Sequence, residues 1–160
     1  NLTNNSSRDD NRPIWSPDGS KIAFKSLDSG LYDIYVMNSD GSEQINLGRG
    51  DSPAWSPDGS KIAFSSTRHA KHHLHNQLEI YVMNSDGGDI KRLTDSPGGD
   101  SSPAWSPDGS KIAFVSTRHG KYKSTSDLEI YVMNIDVGNV TRITNDYNEN
   151  SNPRWSPKLK

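Results

Sequence analysis

Trp15-Ser16-Pro17-Asp18-Gly19-Ser20-Lys21-Ile22-Ala23-Phe24 returns without a change from Trp55 to Phe64 and again from Trp105 to Phe114. A fourth copy opens at Trp155 and keeps only Ser156 and Pro157. A second block, Ile-Tyr-Val-Met-Asn, follows each complete copy and begins at Ile34, Ile80 and Ile130. Repetition at a period of roughly 40–50 residues marks stacked or radially arranged units rather than one irregular domain.

One unit reads from its turns outward. In the second, Ser52-Pro53-Ala54-Trp55 is a short extended segment, and Pro53 suits a strand start because it has no amide hydrogen. Ser56-Pro57-Asp58-Gly59 is a turn: proline fixes φ, aspartate caps the backbone and glycine accepts positive φ. Lys61 to Ser65 then alternates, with Ile62 and Phe64 on one face and Ala63 on the other. Leu78 to Met83 is apolar on both faces and predicts a strand sandwiched between neighbours. Asn84-Ser85-Asp86-Gly87 signals a hairpin, and Asp89 to Thr94 closes the unit as a polar, edge-like strand. The chain shows no helical period. Each unit is a four-stranded antiparallel meander, and such sheets around an axis are β-propeller blades. The expected blades are residues 11–48, 51–94 and 101–144, with a terminal strand at 152–158, all in one domain over 1–160. Ile62, Phe64, Ile80 and Val82 are expected to form the blade core. Trp15, Trp55 and Trp105 are expected to pack between blades.

Composition agrees with thin sheets. The chain has 160 residues, of which 30% are hydrophobic, and its mean hydropathy is -0.86. That argues against one thick core. The net charge of -2 gives no field for nucleic acid or an anionic membrane. There is no cysteine, so disulfides and thiolate metal sites are excluded. No apolar run reaches membrane-spanning length, so no helical membrane insertion is expected. The first residue is Asn1 rather than Met, which leads to the expectation of a removed leader or an excised piece.

Leu-Thr, then Pro-x-Trp-Ser-Pro-Asp-Gly, Ile-Ala-Phe and Ile-Tyr-Val-Met-Asn-x-Asp-Gly together resemble the TolB-like propeller repeat, also called the WD40-like Pro-Asp repeat. The pattern runs from Leu2-Thr3 to Trp155-Ser156-Pro157. The resemblance implies an all-β propeller, typically six-bladed, in a periplasmic or secreted setting, with no cofactor. It also covers propellers attached to peptidases and some lyases. The fold does not fix the function.

Three blades alone would need a wedge angle larger than sheet packing normally provides, since propellers usually have about four to eight. Open ends would also expose apolar faces. The expectation is therefore a homo-oligomer, with two three-bladed chains making a six-bladed ring. Two other outcomes remain open: a head-to-tail filament, and a segment of a longer propeller.

The repeats differ in their connections. From Phe24 to Ile34 the step is 10 residues, whereas Phe64 to Ile80 and Phe114 to Ile130 are 16. From Ile34 to Trp55 the step is 21, against 25 in the two later units. Numbering the strands of a unit a to d, both insertions fall at the b–c and d–a end, so they share one face. That face carries basic b–c loops with Arg68, His69, His72, His73, His75, Arg118, His119 and Tyr122. Its d–a loops are acidic and polar, with Asp100 and Tyr147. These ten residues are the candidate partner-binding residues. The two loop types have the charge to pair with each other or with a partner protein.

Other motifs carry less. Imidazole ligates transition metals, but no carboxylate joins the histidine cluster, and no metal site is assigned. Arg49-Gly50-Asp51 spells an adhesion tripeptide, and the segment equally matches a loop entering strand a. Asp18, Asp58 and Asp108 sit in identical turns, which turn capping explains. No Gly-x-Ser-x-Gly elbow, phosphate loop or nucleophile–base pair is present, so no catalytic residue is assigned. The leading expectation is a non-catalytic scaffold whose long-loop face or central channel receives a protein or peptide. The alternatives are the propeller of an enzyme (peptidase, lyase or hydrolase) and a structural assembly subunit or engineered repeat. The identity of the ten-residue blocks favours recent duplication or design.

Overall fold

Ile22 and Phe24 pair across the sheet with Met37 and Tyr35, and the same pairs recur as Ile62–Met83 with Phe64–Tyr81 and as Ile112–Met133 with Phe114–Tyr131. These ladders build three four-stranded antiparallel sheets in a computed structural model that describes residues 2–3, 8–28, 30–69, 78–119, 128–136, 138–146 and 150–156. Blade 1 holds β1 Asp9–Trp15, β2 Lys21–Asp28, β3 Leu31–Asn38 and β4 Ile45–Arg49. Blade 2 holds β5 Asp51–Trp55, β6 Lys61–Ser66, β7 Glu79–Asn84 and β8 Lys91–Arg92. Blade 3 holds β9 Asp100–Trp105, β10 Lys111–Ser116, β11 Glu129–Asn134 and β12 Val140–Arg142. Every sheet follows sequence order from inner to outer strand. The all-β, three-blade architecture is as the repeats predict.

The repeated turn is locked by its own side chains. Gly59 takes a φ of 71°, and its amide donates to the Ser56 carbonyl at 2.9 Å. Ser56 Oγ donates to Asp58 Oδ1 at 2.6 Å, and the Ser60 amide reaches the same oxygen at 3.1 Å. The first and third copies make the same bonds around Asp18 and Asp108.

The core lies between blades. One cluster joins Ala23, Ile34, Val36 and Leu47 of blade 1 to Trp55, Ile62, Phe64, Tyr81 and Met83 of blade 2. The next joins Ala63 and Ile80 to Ile112, Phe114, Tyr131 and Met133. The expected grouping of Ile62 and Phe64 with Ile80 and Val82 is therefore corrected. In the observed register Phe64 opposes Tyr81 while Ser65 opposes Ile80, so the two sets face opposite neighbours. Each blade stacks a Phe–Tyr pair, with ring centroids 5.6 to 5.8 Å apart; the Phe64–Tyr81 and Phe114–Tyr131 pairs pack against the preceding blade.

Two further expectations are corrected. Trp55 and Trp105 pack between blades, but Trp15 is 56% exposed, with no described sheet on the far side of blade 1. The terminal segment 150–156 carries no ladder. Inner strands pair only with the second strand of their own blade, and among the described residues no strand pairs with 150–156. The outer strands β8 and β12 are shorter than their sequences suggest. Thr94 Oγ1 accepts the Ile80 amide hydrogen at 2.9 Å, and Thr144 Oγ1 accepts that of Ile130 at 2.9 Å, in place of ladder bonds.

Candidate functional site

Four residues that precede proline, Arg12, Ser52, Ser102 and Asn152, hold positive φ between 53° and 54°. A side chain in this left-handed region costs on the order of 1 kcal/mol. The register of each inner strand breaks at this point, between Asn11 and Ile14, between Asp51 and Ala54, and where β9 meets Ala113 and Val115. Such a bulge re-aims the strand. The inner strands and segment 152–155 then line one open axial groove of about 570 Å³.

The groove is proline-rich and carries two guanidinium groups. Arg12 Nη1 donates to Ser52 Oγ at 3.0 Å, which ties blade 1 to blade 2. Arg154 lines the same groove and is exposed. No ion pair among the described residues engages either arginine. The groove is therefore locally cationic in a chain whose net charge is -2.

Tryptophan side chains clasp the groove wall. Trp55 Nε1 donates to the Ile14 carbonyl at 3.2 Å, Trp105 Nε1 to Ala54 at 3.1 Å and Trp155 Nε1 to Ala104 at 3.0 Å. Each indole thus bonds back to the inner strand of the preceding blade.

The candidate residues at the bases of the long loops are engaged within the fold. The Arg68 guanidinium lies over Phe64 and Tyr81, at 4.8 and 5.1 Å from the ring centroids, and Arg68 Nη2 donates to the Arg49 carbonyl at 2.7 Å. Arg118 lies over Phe114 and Tyr131 in the same way, and its Nη2 meets fully buried Asp100 at 2.7 Å. Of the two outcomes the loop charges allow, Arg118 and Asp100 pair with each other. His69 Nδ1 lies 2.9 Å from the Tyr81 hydroxyl, and His119 Nδ1 lies 2.5 Å from that of Tyr131. Burial raises the Tyr81 and Tyr131 hydroxyl pKa values and lowers that of the Arg68 guanidinium. His72, His73, His75, Tyr122 and Tyr147 lie outside the described residues. The structure brings Arg68 and His69 together at one loop base, and Arg118, His119 and Asp100 at the next.

A second buried set was missed by sequence reasoning. Glu79 accepts from Thr94 Oγ1 at 2.5 Å and from the Ser96 amide at 3.0 Å, and it pairs with Arg92 at 3.0 Å. Burial raises the Glu79 pKa above the usual carboxylate range, against the pull of these donors. Glu129, Thr144 and Arg142 repeat the arrangement in blade 3. A charged residue opening an otherwise apolar strand was the available signal. With every oxygen engaged inside the blade, these carboxylates clamp the outer strand.

The adhesion reading of Arg49-Gly50-Asp51 fails on geometry. Gly50 is buried, and a Cβ there would stand 2.6 Å from Ile34 Cδ1 and 2.8 Å from Phe64 Cδ2. Asp51 Oδ2 is held by Lys25 at 2.9 Å. Among the described residues no group of three or more His, Cys, Asp or Glu side chains gathers as metal ligands. No helix among them is long and apolar enough to cross a membrane.

Residues 46–160 match the family described as the TolB beta propeller domain. The chain belongs to the TolB β-propeller domain family. A solved structure assigned to TolB from Agrobacterium tumefaciens is similar at 32% identity and a TM-score of 0.79, covering 98% of this chain and 57% of that one. TolB from Acinetobacter baumannii is similar at 27% identity and a TM-score of 0.68, over 85% of this chain and 32% of that one. An oligogalacturonate lyase in complex with manganese shares the fold alone, at 18% identity and a TM-score of 0.60, over 84% of this chain and 41% of that one. The chain thus spans between about a third and somewhat over half of the TolB structures it matches.

Proposed function

We propose that this TolB-like chain is a non-catalytic binding module whose axial groove receives an extended, acidic segment of a partner protein. One observation carries the reading. Arg12, on β1, and Arg154, on the unpaired segment 150–156, line the groove with no carboxylate partner among the described residues. Guanidinium groups placed this way recognise carboxylates through charge-assisted hydrogen bonds. The proline-lined wall suits an extended chain that brings its own backbone polarity. The bulged inner strands are ordered before the ligand arrives, which limits the entropy lost on binding. The long-loop bases contribute scaffold instead, because Arg68, Arg118 and both described histidines are engaged internally. A periplasmic or secreted setting belongs to the same proposal and draws its support from family membership.

Calorimetric titration with a short acidic peptide and its lysine counterpart tests it. The acidic peptide is expected to bind and the lysine peptide is not. Arg12→Ala and Arg154→Ala should each weaken binding about fivefold, corresponding to roughly 1 kcal/mol per exposed ion pair. Equal affinity for both peptides, or indifference to both substitutions, would sink the reading.

A further inference from the structure

Asp-Gly occurs five times, at Asp18, Asp40, Asp58, Asp86 and Asp108. The pair undergoes a rearrangement that needs no reagent but water. The glycine nitrogen, with no Cβ beside it to hinder approach, attacks the aspartate Cγ. The amide hydrogen leaves with the carboxyl hydroxyl as water, and a cyclic imide closes. Water then opens the imide at either carbonyl. Opening at the α-carbonyl gives isoaspartate, in which the main chain runs through the former side chain.

The five nitrogens are held alike. Each glycine amide donates at 2.9 Å to the carbonyl three residues before it, and each glycine has a φ between 71° and 90°. The carboxylates are held differently. Asp18 accepts from the Ser16 hydroxyl at 2.6 Å, the Ser20 amide at 3.1 Å and the Ser20 hydroxyl at 2.8 Å. Asp58 and Asp108 repeat this with their own serines. Asp40 Oδ1 accepts the Ser42 hydroxyl at 2.6 Å and the Ser42 amide at 2.9 Å. Among the described residues exposed Asp86 has one donor, the Gly88 amide at 2.9 Å, because glycine stands where blade 1 has Ser42. A hydroxyl donor fixes the carboxylate and favours its charged form, whose carbon is the poorer target for attack. The serines accordingly lower the pKa of Asp18 and Asp58 to about 2, and Ser42 lowers that of Asp40.

We propose that Asp86 is a site of spontaneous isoaspartate formation in the folded chain, reacting ahead of every other Asp-Gly pair. Its carboxylate turns toward the Gly87 nitrogen after giving up one bond, whereas each of the others gives up at least two. The product bears on the joint between blades. Gly87 rests against blade 1, where a Cβ on it would stand 3.0 Å from Leu47 Cδ2. An added main-chain carbon at this turn pushes on Leu47 and also disturbs the bond from the Asn84 amide to the Gly88 carbonyl, now 2.8 Å. An aged chain therefore holds blades 1 and 2 together less well. None of these residues lines the axial groove, so the inference stands whatever the groove binds.

Prolonged incubation of the folded chain at neutral pH, then tryptic digestion and mass spectrometry with electron-transfer fragmentation, tests it. Each Asp-Gly pair falls in a tryptic peptide of its own. Isoaspartate is expected first at Asp86, about tenfold faster than at Asp40, the rate equivalent of one hydroxyl–carboxylate hydrogen bond. Gly88→Ser restores the blade 1 donor and should slow the reaction at Asp86 by about tenfold. Gly88 has no positive φ, so its backbone accepts serine. Ser42→Gly should raise Asp40 to the rate of Asp86. Circular dichroism checks that both variants keep their sheet content. In urea, where the turns are lost, the five pairs should react at similar rates. The same lead of Asp86 in urea would assign it to local sequence rather than to the folded turn and overturn the proposal. So would the absence of isoaspartate at Asp86, its earlier appearance at another pair, or unchanged rates in both variants.

Discussion

Asp18 and Asp58 are exposed, yet each is held by donors from its own turn. The Ser16 hydroxyl and then the Ser20 amide and hydroxyl lower the Asp18 pKa from 3.8 to about 2, and Ser56 and Ser60 do the same for Asp58. A depressed folded-state pKa contributes stability above the unfolded value and loses it as pH falls through the folded one. The contribution of these two aspartates to the thermal midpoint should therefore be flat above about pH 4 and decline between about pH 4 and pH 2. Asp18→Asn with Asp58→Asn should make that decline shallower; an unchanged slope would assign acid sensitivity elsewhere. The tryptophans invite a second comparison. Trp55→Ala opens a gap in the blade 1–blade 2 core and should cost about 3–5 kcal/mol. Trp15→Ala, at an exposed site of the same motif, should cost less than about 1 kcal/mol. Urea unfolding of the two variants at a concentration that keeps single chains apart measures the difference.

At the level of elements, the loop bases are held by arginine laid across paired rings. Asp100 is fully buried, so Arg118→Ala leaves its carboxylate without a cationic partner and should cost about 3–5 kcal/mol. Arg68→Ala, which frees neutral partners (the Arg49 carbonyl, the Ser66 hydroxyl and the ring faces), should cost less, about 1–3 kcal/mol. Equal losses in urea unfolding would show that the ion pair adds nothing to the shared ring contacts. These bases also mark where the sequence is legible. The Ser-Pro-Asp-Gly turn could be read because every bond that shapes it lies within a few residues. The alternation from Lys61 to Ser65 fixed a two-faced strand, but not which face of the next strand it would match. That choice depends on the register that sets Phe64 against Tyr81. Arg68 and His69 read as partner-binding loop residues because nothing near them in sequence announces the Phe64–Tyr81 platform. Thr94 read as part of a strand because its capture of the Ile80 amide is a tertiary event.

Seen whole, the molecule is an arc of three blades whose inner edge is a cationic groove. The number and order of blades followed directly from the repeated block. The groove did not, because its shape rests on the sign of φ before each proline, and Arg12, Ser52, Ser102 and Asn152 share no side-chain chemistry that would signal it. The exposed state of Trp15 was equally hidden, since its motif is identical to that of buried Trp55. Composition distinguishes neither case; only position along the arc does. The tryptophan clasp has one more consequence. The indoles of Trp55, Trp105 and Trp155 all reach backward to a main-chain carbonyl, so the joint makes no demand on the side chain it meets: Ile14 and Ala54 both serve. A recombination that adds or removes one unit creates a joint of the same kind at the splice. The repeat is its own connector, and blade number in such a lineage is free to change by copying alone, without a new interface having to arise first.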